Sequence, residues 1–150
     1  MFTSQTKTCM YKTKYRLHFI NITQDVENFI KKIKVETGVC VIQAHHTTCS
    51  LWINEDEKNL IGTETLEGDL KRILDRFASP DEEYNHNDIR DKRNPSGKRN
   101  THLCEPDEQG IVHECINGHA HAQGMILHSS VSLIIEKGKL LLGKWQQILL

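Results

Sequence analysis

Two histidines separated by a single residue mark the segment NGHAHAQG, which spans residues 117–124. Imidazole nitrogens are common ligands of zinc and other divalent metals, and a site needs several of them on one surface. Residues i and i+2 of a β-strand point to the same face of the sheet. We therefore predict a strand here, on which His119 and His121 form half of a metal site. A pair of hydrogen-bonded or solvated imidazoles is the alternative.

A third ligand has to come from another part of the chain, and two segments offer one. His46 lies in AHHTTCSLWINE, where β-branched and apolar residues predict an extended chain. Alternation along this strand places His46 on the face of Cys40 and Ile42, and His45 on the opposite face. His86, in EEYNHNDIR, lies in a polar loop that can bring a ligand in from a distance.

Polar and aromatic residues near these histidines have both a structural and a chemical interpretation. They are Thr47, Thr48, Asn54, Glu55, Trp145 and Gln146. The threonine hydroxyls can orient an imidazole or hold an oxyanion. The asparagine and glutamate suit the start of a helix, but the glutamate can also act as a proton-transfer group beside the imidazoles. The indole and the amide after it belong to a packed strand or to the wall of a ligand pocket.

The polar stretch from residue 80 to about 115 is long for a connection inside a compact domain, so it is either functional or partly disordered. It contains two His-x-Cys pairs, His102 with Cys104 and His113 with Cys115. Thiolates combined with imidazoles can form a closed, structural zinc site. A flexible loop with exposed thiols is the alternative.

The composition of the chain limits the classes of function. Its 150 residues are enough for one domain with its own core. The 19 Lys and Arg nearly balance the 20 Asp and Glu, so bulk charge favours neither nucleic acid nor a membrane surface. No apolar stretch is long enough to span a membrane, and the five cysteines show no CxxC spacing. We predict a cytoplasmic protein with free thiols and with neither nucleic-acid nor membrane partners.

The elements in the first half of the chain follow from hydrophobic periodicity. We predict an opening strand at residues 12–22 and a helix with Thr23 as its N-cap. One long or bent strand, or two strands, follow Gly38. A second main helix, with Thr63 as a possible cap, ends near Ala78.

The second half of the chain is predicted to consist of strands after the polar loop. Residues 119–135 form one or two strands, residues 136–139 a hairpin turn, and residues 140–150 the returning strand. The whole is predicted to be a single domain over residues 1–150 with the insertion at about 80–115. Its class is α+β, with antiparallel strands in two packed, sandwich-like sheets and two main helices.

Several of these segments, taken in order, resemble the YjbQ-type uncharacterised protein family. They are RLHFINIT (residues 16–23), HTTCSLWINE (46–55), Tyr84-x-His86-Asn87, GHAH (118–121) and GKLLLGKWQQILL (138–150). The resemblance extends over nearly the whole chain. It differs from the family pattern at Cys49, at His128 and in the longer connection between His86 and GHAH.

The resemblance implies a compact α+β fold with two packed sheets, and homotrimers. Family members often carry the name secondary thiamine-phosphate synthase enzyme. Their histidines gather in a pocket that can hold a metal, which implies His46, His86 and His121 as ligands with His119 next to them. Other recurrent positions of the family match Asn54, Glu55, Trp145 and Gln146.

These observations lead to two functional hypotheses. In the first, a histidine-lined pocket binds a divalent metal ion, zinc first among the candidates, and acts on a phosphorylated small molecule as a transferase of the thiamine-phosphate synthase kind. Glu55 is then the proton-transfer group. In the second, the homotrimer is a metal- or ligand-binding module without turnover.

Overall fold

We analysed a computed structural model, which describes residues 3–90, 92–100, 109 and 116–150. In this part of the chain the helices are α1 (Thr23–Ile33), α2 (Lys58–Ile61), α3 (Asp69–Phe77) and α4 (Gly118–Ile126), with a 3₁₀ helix at Asn85–Asn87. The strands are β1 (Thr37–Gln43), β2 (Trp52–Asn54), β3 (Ile89–Arg90), β4 (Arg99–Asn100), β5 (Ser130–Glu136), β6 (Lys139–Leu140) and β7 (Gln147–Leu149).

Two antiparallel sheets form the β part of the fold. The first has the strand order β1-β5-β6, with Cys40 opposite Leu133 and Ile135 opposite Leu140. The second pairs β2 with β7, and Ile53 lies opposite Ile148. The strands β3 and β4 add a short parallel pair within the polar stretch.

The two antiparallel sheets share one hydrophobic core. Its buried residues are Ile22, Leu51, Leu133 and Ile148, of which Leu133 belongs to β5 and Ile148 to β7. Burial of each such side chain contributes about 1.5–3 kcal/mol to folding. The predicted α+β fold with packed antiparallel sheets is therefore confirmed. Among the described residues, no helix is both long and apolar enough to cross a membrane.

The opening strand was predicted too long, and the predicted cap of α1 was wrong. Backbone pairing is confined to the end of the segment, where Ile20 and Leu150 exchange two hydrogen bonds of 2.9 Å. Thr23 is the first residue of α1 and is buried; its hydroxyl accepts a hydrogen bond from Ile148 N at 2.8 Å. Asn21 Oδ1 instead accepts from Thr23 N. The threonine side chain therefore ties α1 to β7 and does not cap the helix.

The segment after Gly38 contains two strands, β1 and β2, and the second main helix ends at Phe77, as predicted. This helix, α3, begins at Asp69, so Thr63 is not its cap. The Thr63 hydroxyl accepts from Leu66 N in the preceding turn. The one-turn helix α2 was not predicted, and Glu57 caps it by accepting from the backbone of Asn59 and Leu60.

The hairpin after β5 is confirmed, but the returning strand is interrupted. Lys137 and Gly138 have φ of 51° and 71°, the left-handed conformation that a two-residue hairpin turn requires. After β6, a turn closes where Gln146 N donates to Gly143 O at 3.0 Å. Only Gln147–Leu149 then forms a strand.

The prediction of a strand at His119 was wrong, because residues 118–126 form helix α4. Alanine favours helices, and the alternation of histidine with alanine in GHAHA carries little hydrophobic contrast. Packing decides the conformation: Gln123 is 3% exposed and donates to Ala78 O at the end of α3. The strand β5 starts only at Ser130.

Candidate histidine site

The helical conformation of α4 separates the two histidines of GHAH. Successive residues of an α-helix are rotated by about 100°, so residues i and i+2 differ by about 200° and point in opposite directions. His119 and His121 therefore do not share a face, in contrast to the strand prediction. Each of them meets a different group of residues.

His121 lies against His86, which comes from the 3₁₀ helix. The centroids of the two imidazole rings are 4.4 Å apart, and the ring planes form an angle of 64°. The Nε2 atom of His86 is shielded from solvent and has no hydrogen-bond partner, and neither has the Oδ1 atom of Asn117 nearby. A buried polar atom without a partner is costly, so these two atoms are poised to receive one.

The 3₁₀ helix and the start of α4 are held together by Asn87 and Gly118. The backbone N–H of Gly118 donates to Asn87 Oδ1 at 2.9 Å. A Cβ atom on Gly118 would lie 2.5 Å from Tyr84 Cβ, so only glycine fits here. Tyr84 is fixed in turn, because its hydroxyl donates to Ser79 O at 2.8 Å. This packing brings His86 and His121 together from positions far apart in the sequence.

Arg99, the first residue of β4, contacts the backbone of His86. Its Nη1 donates to His86 O at 2.7 Å, and its backbone N donates to Asp88 O at 2.9 Å. Burial lowers the pKa of His86, and the positive charges of Arg99 and His121 lower it further. Asn117 opposes this shift without making a well-formed hydrogen bond to the buried Nε2. The lowered pKa of His86 favours the neutral imidazole, the form that binds metal.

His119 faces the opposite side of α4. Its ring centroid lies 6.5 Å from that of Tyr84, and its Nδ1 is buried without a hydrogen-bond partner. Burial lowers the pKa of His119; Arg16 acts in the same direction, and Asp75 opposes it. The structure therefore places His119 next to an ion pair and away from the His86–His121 pair.

That ion pair joins α3, α4 and the N-terminal segment. Arg16 donates two hydrogen bonds to the carboxylate of Asp75, at 2.7 and 2.5 Å. The buried Gln123 donates to Asp75 Oδ1 at 3.2 Å and to Ala78 O at 2.9 Å. Because Gln123 lies one helical turn after His119, this network fixes the face of α4 that His119 occupies.

His46 is exposed in the turn between β1 and β2, not on a strand. Its Nδ1 faces the Thr48 hydroxyl at 3.0 Å and the Thr48 N–H at 3.3 Å, and its backbone O accepts from Cys49 N. Thr48 therefore holds the orientation of the His46 imidazole. Helix α4 approaches this turn, since a Cβ on Gly124 would lie 3.5 Å from Thr47 O.

Comparison with known proteins now identifies the family. The family model described as UPF0047 protein YjbQ-like matches residues 7–150. The chain belongs to the UPF0047 YjbQ-like family. The resemblance seen in the sequence is confirmed.

The alignments with relatives and solved structures of this family cover most of this chain and most of each relative. The chain is 29% identical to a UPF0047 protein of Archaeoglobus fulgidus over 140 residues, covering 92% of this chain and 82% of that protein. It is 29% identical to the UPF0047 protein YugU of Bacillus subtilis over 143 residues, covering 95% and 84%. A yjbq/upf0047 family structure from Clostridium acetobutylicum superposes with a TM-score of 0.60 at 28% identity, covering 93% and 83%.

A YbjQ-like protein of unknown function from Sulfolobus solfataricus supports the same fold. It superposes with a TM-score of 0.68 at 24% identity, covering 93% of this chain and 78% of that chain.

The remaining residues of the YjbQ-like pattern make local contacts in this structure. Asn54 Oδ1 accepts from Glu55 N at 2.9 Å, and the Glu55 side chain is exposed. Trp145 is 63% exposed, with Lys144 Nζ 4.7 Å from the ring centroid. Gln146 Oε1 accepts from Gly143 N at 2.8 Å, which closes the turn before β7.

Only part of the predicted ligand set of this UPF0047 chain is assembled. Within the described ranges, no group of three or more His, Cys, Asp or Glu side chains is placed to hold a metal ion. His86 and His121 form a pair, and neither His46 nor His119 completes it. The two His-x-Cys pairs, at residues 102, 104, 113 and 115, lie outside the described residues.

Sequence reasoning missed several residues that shape the site. Asp75 was predicted as an ordinary helix position and Gln123 as part of a strand, while Arg99 was one charge in a polar loop. No periodicity or motif marks any of the three, because their roles depend on contacts between distant segments. Tyr84 and Asn87 appeared only as neighbours of His86 in the family pattern.

Proposed function

We propose that the His86–His121 pair is the protein part of a divalent-metal site that acts on a phosphorylated small molecule. The observation that carries the proposal is the approach of two imidazoles, 4.4 Å between centroids, with the Nε2 atom of His86 buried and unpartnered. Imidazole nitrogen is a preferred ligand of zinc and of neighbouring transition metals. Zinc is the first candidate for this donor set.

The donor set fits a metal site that is open to ligands. Two imidazoles leave coordination positions for water or for oxygens of a bound molecule, as catalytic sites require. A bound divalent ion would polarise a phosphoryl oxygen or neutralise a departing diphosphate. The pKa of His86 is lowered by burial and its Nε2 lies shielded from solvent, and both favour metal over proton at this nitrogen.

The other residues take their proposed roles from the family pattern. His46 is the proposed third ligand, and Thr48 lies beside its Nδ1. Thr47 and Thr48 are also proposed to bind the substrate. His119 is a neighbour of the site on the opposite face of α4. Asn54, Trp145 and Gln146 are proposed to contact the substrate. Glu55 is the proposed proton-transfer group, and the resemblance rather than a contact supports this role.

The first test measures the metal. The purified protein is loaded with zinc or manganese, and bound metal is determined by elemental analysis for wild type, His86→Ala and His121→Ala. We expect both variants to lose most of the bound metal. His128→Ala is the matched control, because His128 is an exposed histidine just after α4 and should leave the metal content unchanged. Unchanged metal in His121→Ala would rule out the site.

A thiamine-phosphate synthase reaction is the proposed activity, and it is tested separately. The pyrimidine diphosphate and thiazole phosphate precursors are supplied with metal, and formation of thiamine phosphate is followed. We expect product with wild type and none with the double variant His121→Ala, Glu55→Gln. Product formed equally by both would show that the activity does not belong to this site.

A binding module without turnover is the second candidate. The exposed position of Glu55, whose backbone N–H is bonded to the preceding Asn54 side chain, favours it. In this case the metal test gives the same result, but no product forms from the two precursors. Both candidates include assembly into a homotrimer, which the family resemblance implies.

A further inference from the structure

Asn117 is the residue before α4 and lies one helical turn from His121. Its backbone O accepts from Ala120 N at 2.9 Å and from His121 N at 3.2 Å, which starts the helix. Side chains four residues apart lie on the same face of a helix. The Asn117 amide therefore belongs to the side of α4 on which His121 meets His86.

The side chain of Asn117 does not cap the helix that it precedes. Asparagine is preferred at this position because its side-chain oxygen can accept from one of the first free N–H groups of a helix. Asn117 makes no such bond, and the N–H of Gly118 donates to Asn87 Oδ1 instead. The amide oxygen of Asn117 is therefore not used by the helix.

Two buried atoms without partners come from neighbouring side chains here. Asn117 Oδ1 and His86 Nε2 are both shielded from solvent, and neither has a hydrogen-bond partner in the part of the chain that the structure describes. The two side chains interact, but no hydrogen bond of ordinary geometry joins these atoms. An amide oxygen and an imidazole nitrogen without its proton each present a lone pair. A cation satisfies both, and leaving both unsatisfied is costly.

We propose that Asn117 Oδ1 is a further ligand of the metal ion held by His86 and His121. The inference rests on the proposed function, because it adds an oxygen donor to the same site. His46 lies in an exposed turn, whereas Asn117 already lies at the histidine pair. No covalent step is involved.

The donor set that results is two imidazole nitrogens and one amide oxygen. All three donors are neutral, so a divalent ion keeps its full charge for a phosphoryl oxygen. Imidazole suits zinc and its neighbours, whereas carbonyl oxygen suits harder ions such as manganese. Asn117 would therefore broaden the site towards Mn²⁺, and its loss should affect the two ions unequally.

The experiment measures the affinity of the full chain for Zn²⁺ and for Mn²⁺ by calorimetry, in wild type, Asn117→Leu and Asn117→Asp. Leucine keeps the branched shape of asparagine and removes the oxygen. We expect Asn117→Leu to weaken binding of both ions by about tenfold or more, and that of Mn²⁺ by the larger factor. Asn117→Asp keeps an oxygen donor and adds a charge, so it should bind both ions at least as tightly as wild type.

Urea unfolding of the metal-free protein separates ligation from a structural role. A ligand of the ion contributes nothing to the metal-free fold, so Asn117→Leu should be as stable as wild type or more stable, since an unsatisfied buried oxygen is removed. A lost hydrogen bond to His86 would instead destabilise the metal-free protein. Such destabilisation, combined with an equal loss of affinity for Zn²⁺ and Mn²⁺, would overturn the role of Asn117 as a ligand.

Asn85→Leu is the matched control. Asn85 precedes His86 in the 3₁₀ helix, and its side chain is exposed. We expect this variant to bind Zn²⁺ and Mn²⁺ like wild type. Weakening by the same factors in Asn85→Leu and Asn117→Leu would show a general disturbance of the 3₁₀ helix and overturn the inference.

The proposed function and the added ligand fail in different ways. Loss of metal in His121→Ala together with wild-type affinities in Asn117→Leu would leave the metal site intact and overturn the ligand. Failure of the wild-type chain to bind either ion would overturn the proposed function itself, and the ligand with it.

Discussion

The backbone N–H of Gly118 is bonded to the side-chain oxygen of Asn87 at 2.9 Å, which joins the first residue of α4 to the 3₁₀ helix that carries His86. The first N–H groups of a helix lack partners within the helix, so a side chain from elsewhere can satisfy one of them. Here the partner is Asn87, which also positions the histidine pair because it belongs to the same 3₁₀ helix as His86. The stability of α4 and the geometry of the site are therefore coupled.

Gly118→Ala should disrupt this junction. The added Cβ would lie 2.5 Å from Tyr84 Cβ, so the 3₁₀ helix or α4 must shift. We expect the free energy of unfolding in urea to fall by about 1–3 kcal/mol, the usual cost of overpacking, and metal affinity to fall with it. Gly124→Ala is the control in the same helix, because its nearest atom is Thr47 O at 3.5 Å. It should be neutral, or stabilising by up to about 1 kcal/mol.

Asn87→Ala should leave the Gly118 N–H without its partner. We expect a loss of about 1–2 kcal/mol in the free energy of unfolding, because a donor near the junction is then unsatisfied. Asn87→Asp keeps an acceptor oxygen at the N-terminus of α4 and should recover most of the loss. Equal destabilisation by both substitutions would show that the hydrogen bond is not the source of the effect.

Elements with a local signature could be predicted from the sequence, and those that depend on tertiary contact could not. The helices α1 and α3 and the hairpin at Lys137 and Gly138 follow from apolar spacing and turn residues. Helix α4 has no apolar stripe of its own. Its conformation depends on the burial of Gln123 against α3 and on the fit of Gly118 against Tyr84, neither of which is visible in GHAHAQG.

In the candidate site, too, some features could be predicted from the sequence and others depend on tertiary contacts. His86 and His121 were predicted as partners from residue type and family pattern, and the structure brings them together. The expectation that His119 shares their face relied on a period of two and failed once the segment was helical. The position of Arg99 depends on the register of a two-residue parallel pair, for which the sequence carries no signal.

The Arg16–Asp75 pair should make stability depend on pH in the acid range. Hydrogen bonds from Arg16 hold the pKa of Asp75 below its ordinary value of 3.8. A carboxylate with a lowered pKa in the folded state stabilises the protein above its unfolded pKa, and this contribution is lost as the pH falls through the lower, folded value. The difference in free energy of unfolding between wild type and Asp75→Asn should therefore be constant near neutral pH and shrink below about pH 4.

Urea unfolding at a series of pH values measures this difference. Asp69→Asn is the control, because Asp69 forms an exposed pair with Arg72 within α3 and such pairs contribute little. If the difference in free energy of unfolding between wild type and Asp75→Asn stayed constant down to about pH 2, the role of the ion pair would be contradicted.

We predict that the chain assembles with itself through the outer face of the sheet β1-β5-β6. Val39 lies opposite Ile134, and Leu141 N donates to Ile134 O, so these three side chains form a row across the sheet. They are 63%, 51% and 60% exposed. Apolar patches of this kind, without charged side chains at their centre, are typical of contacts between subunits.

Ile134→Lys places a charge in the middle of this row and should convert a trimer into monomers of 17.3 kDa, as measured by sedimentation velocity. A buried, unpaired charge at a subunit contact costs far more than an exposed one. Ile73→Lys on α3 is the matched control, since Ile73 is 53% exposed and lies outside the sheet. A wild-type monomer would contradict the homotrimer itself. A trimer that persists in Ile134→Lys would place the contact on another surface.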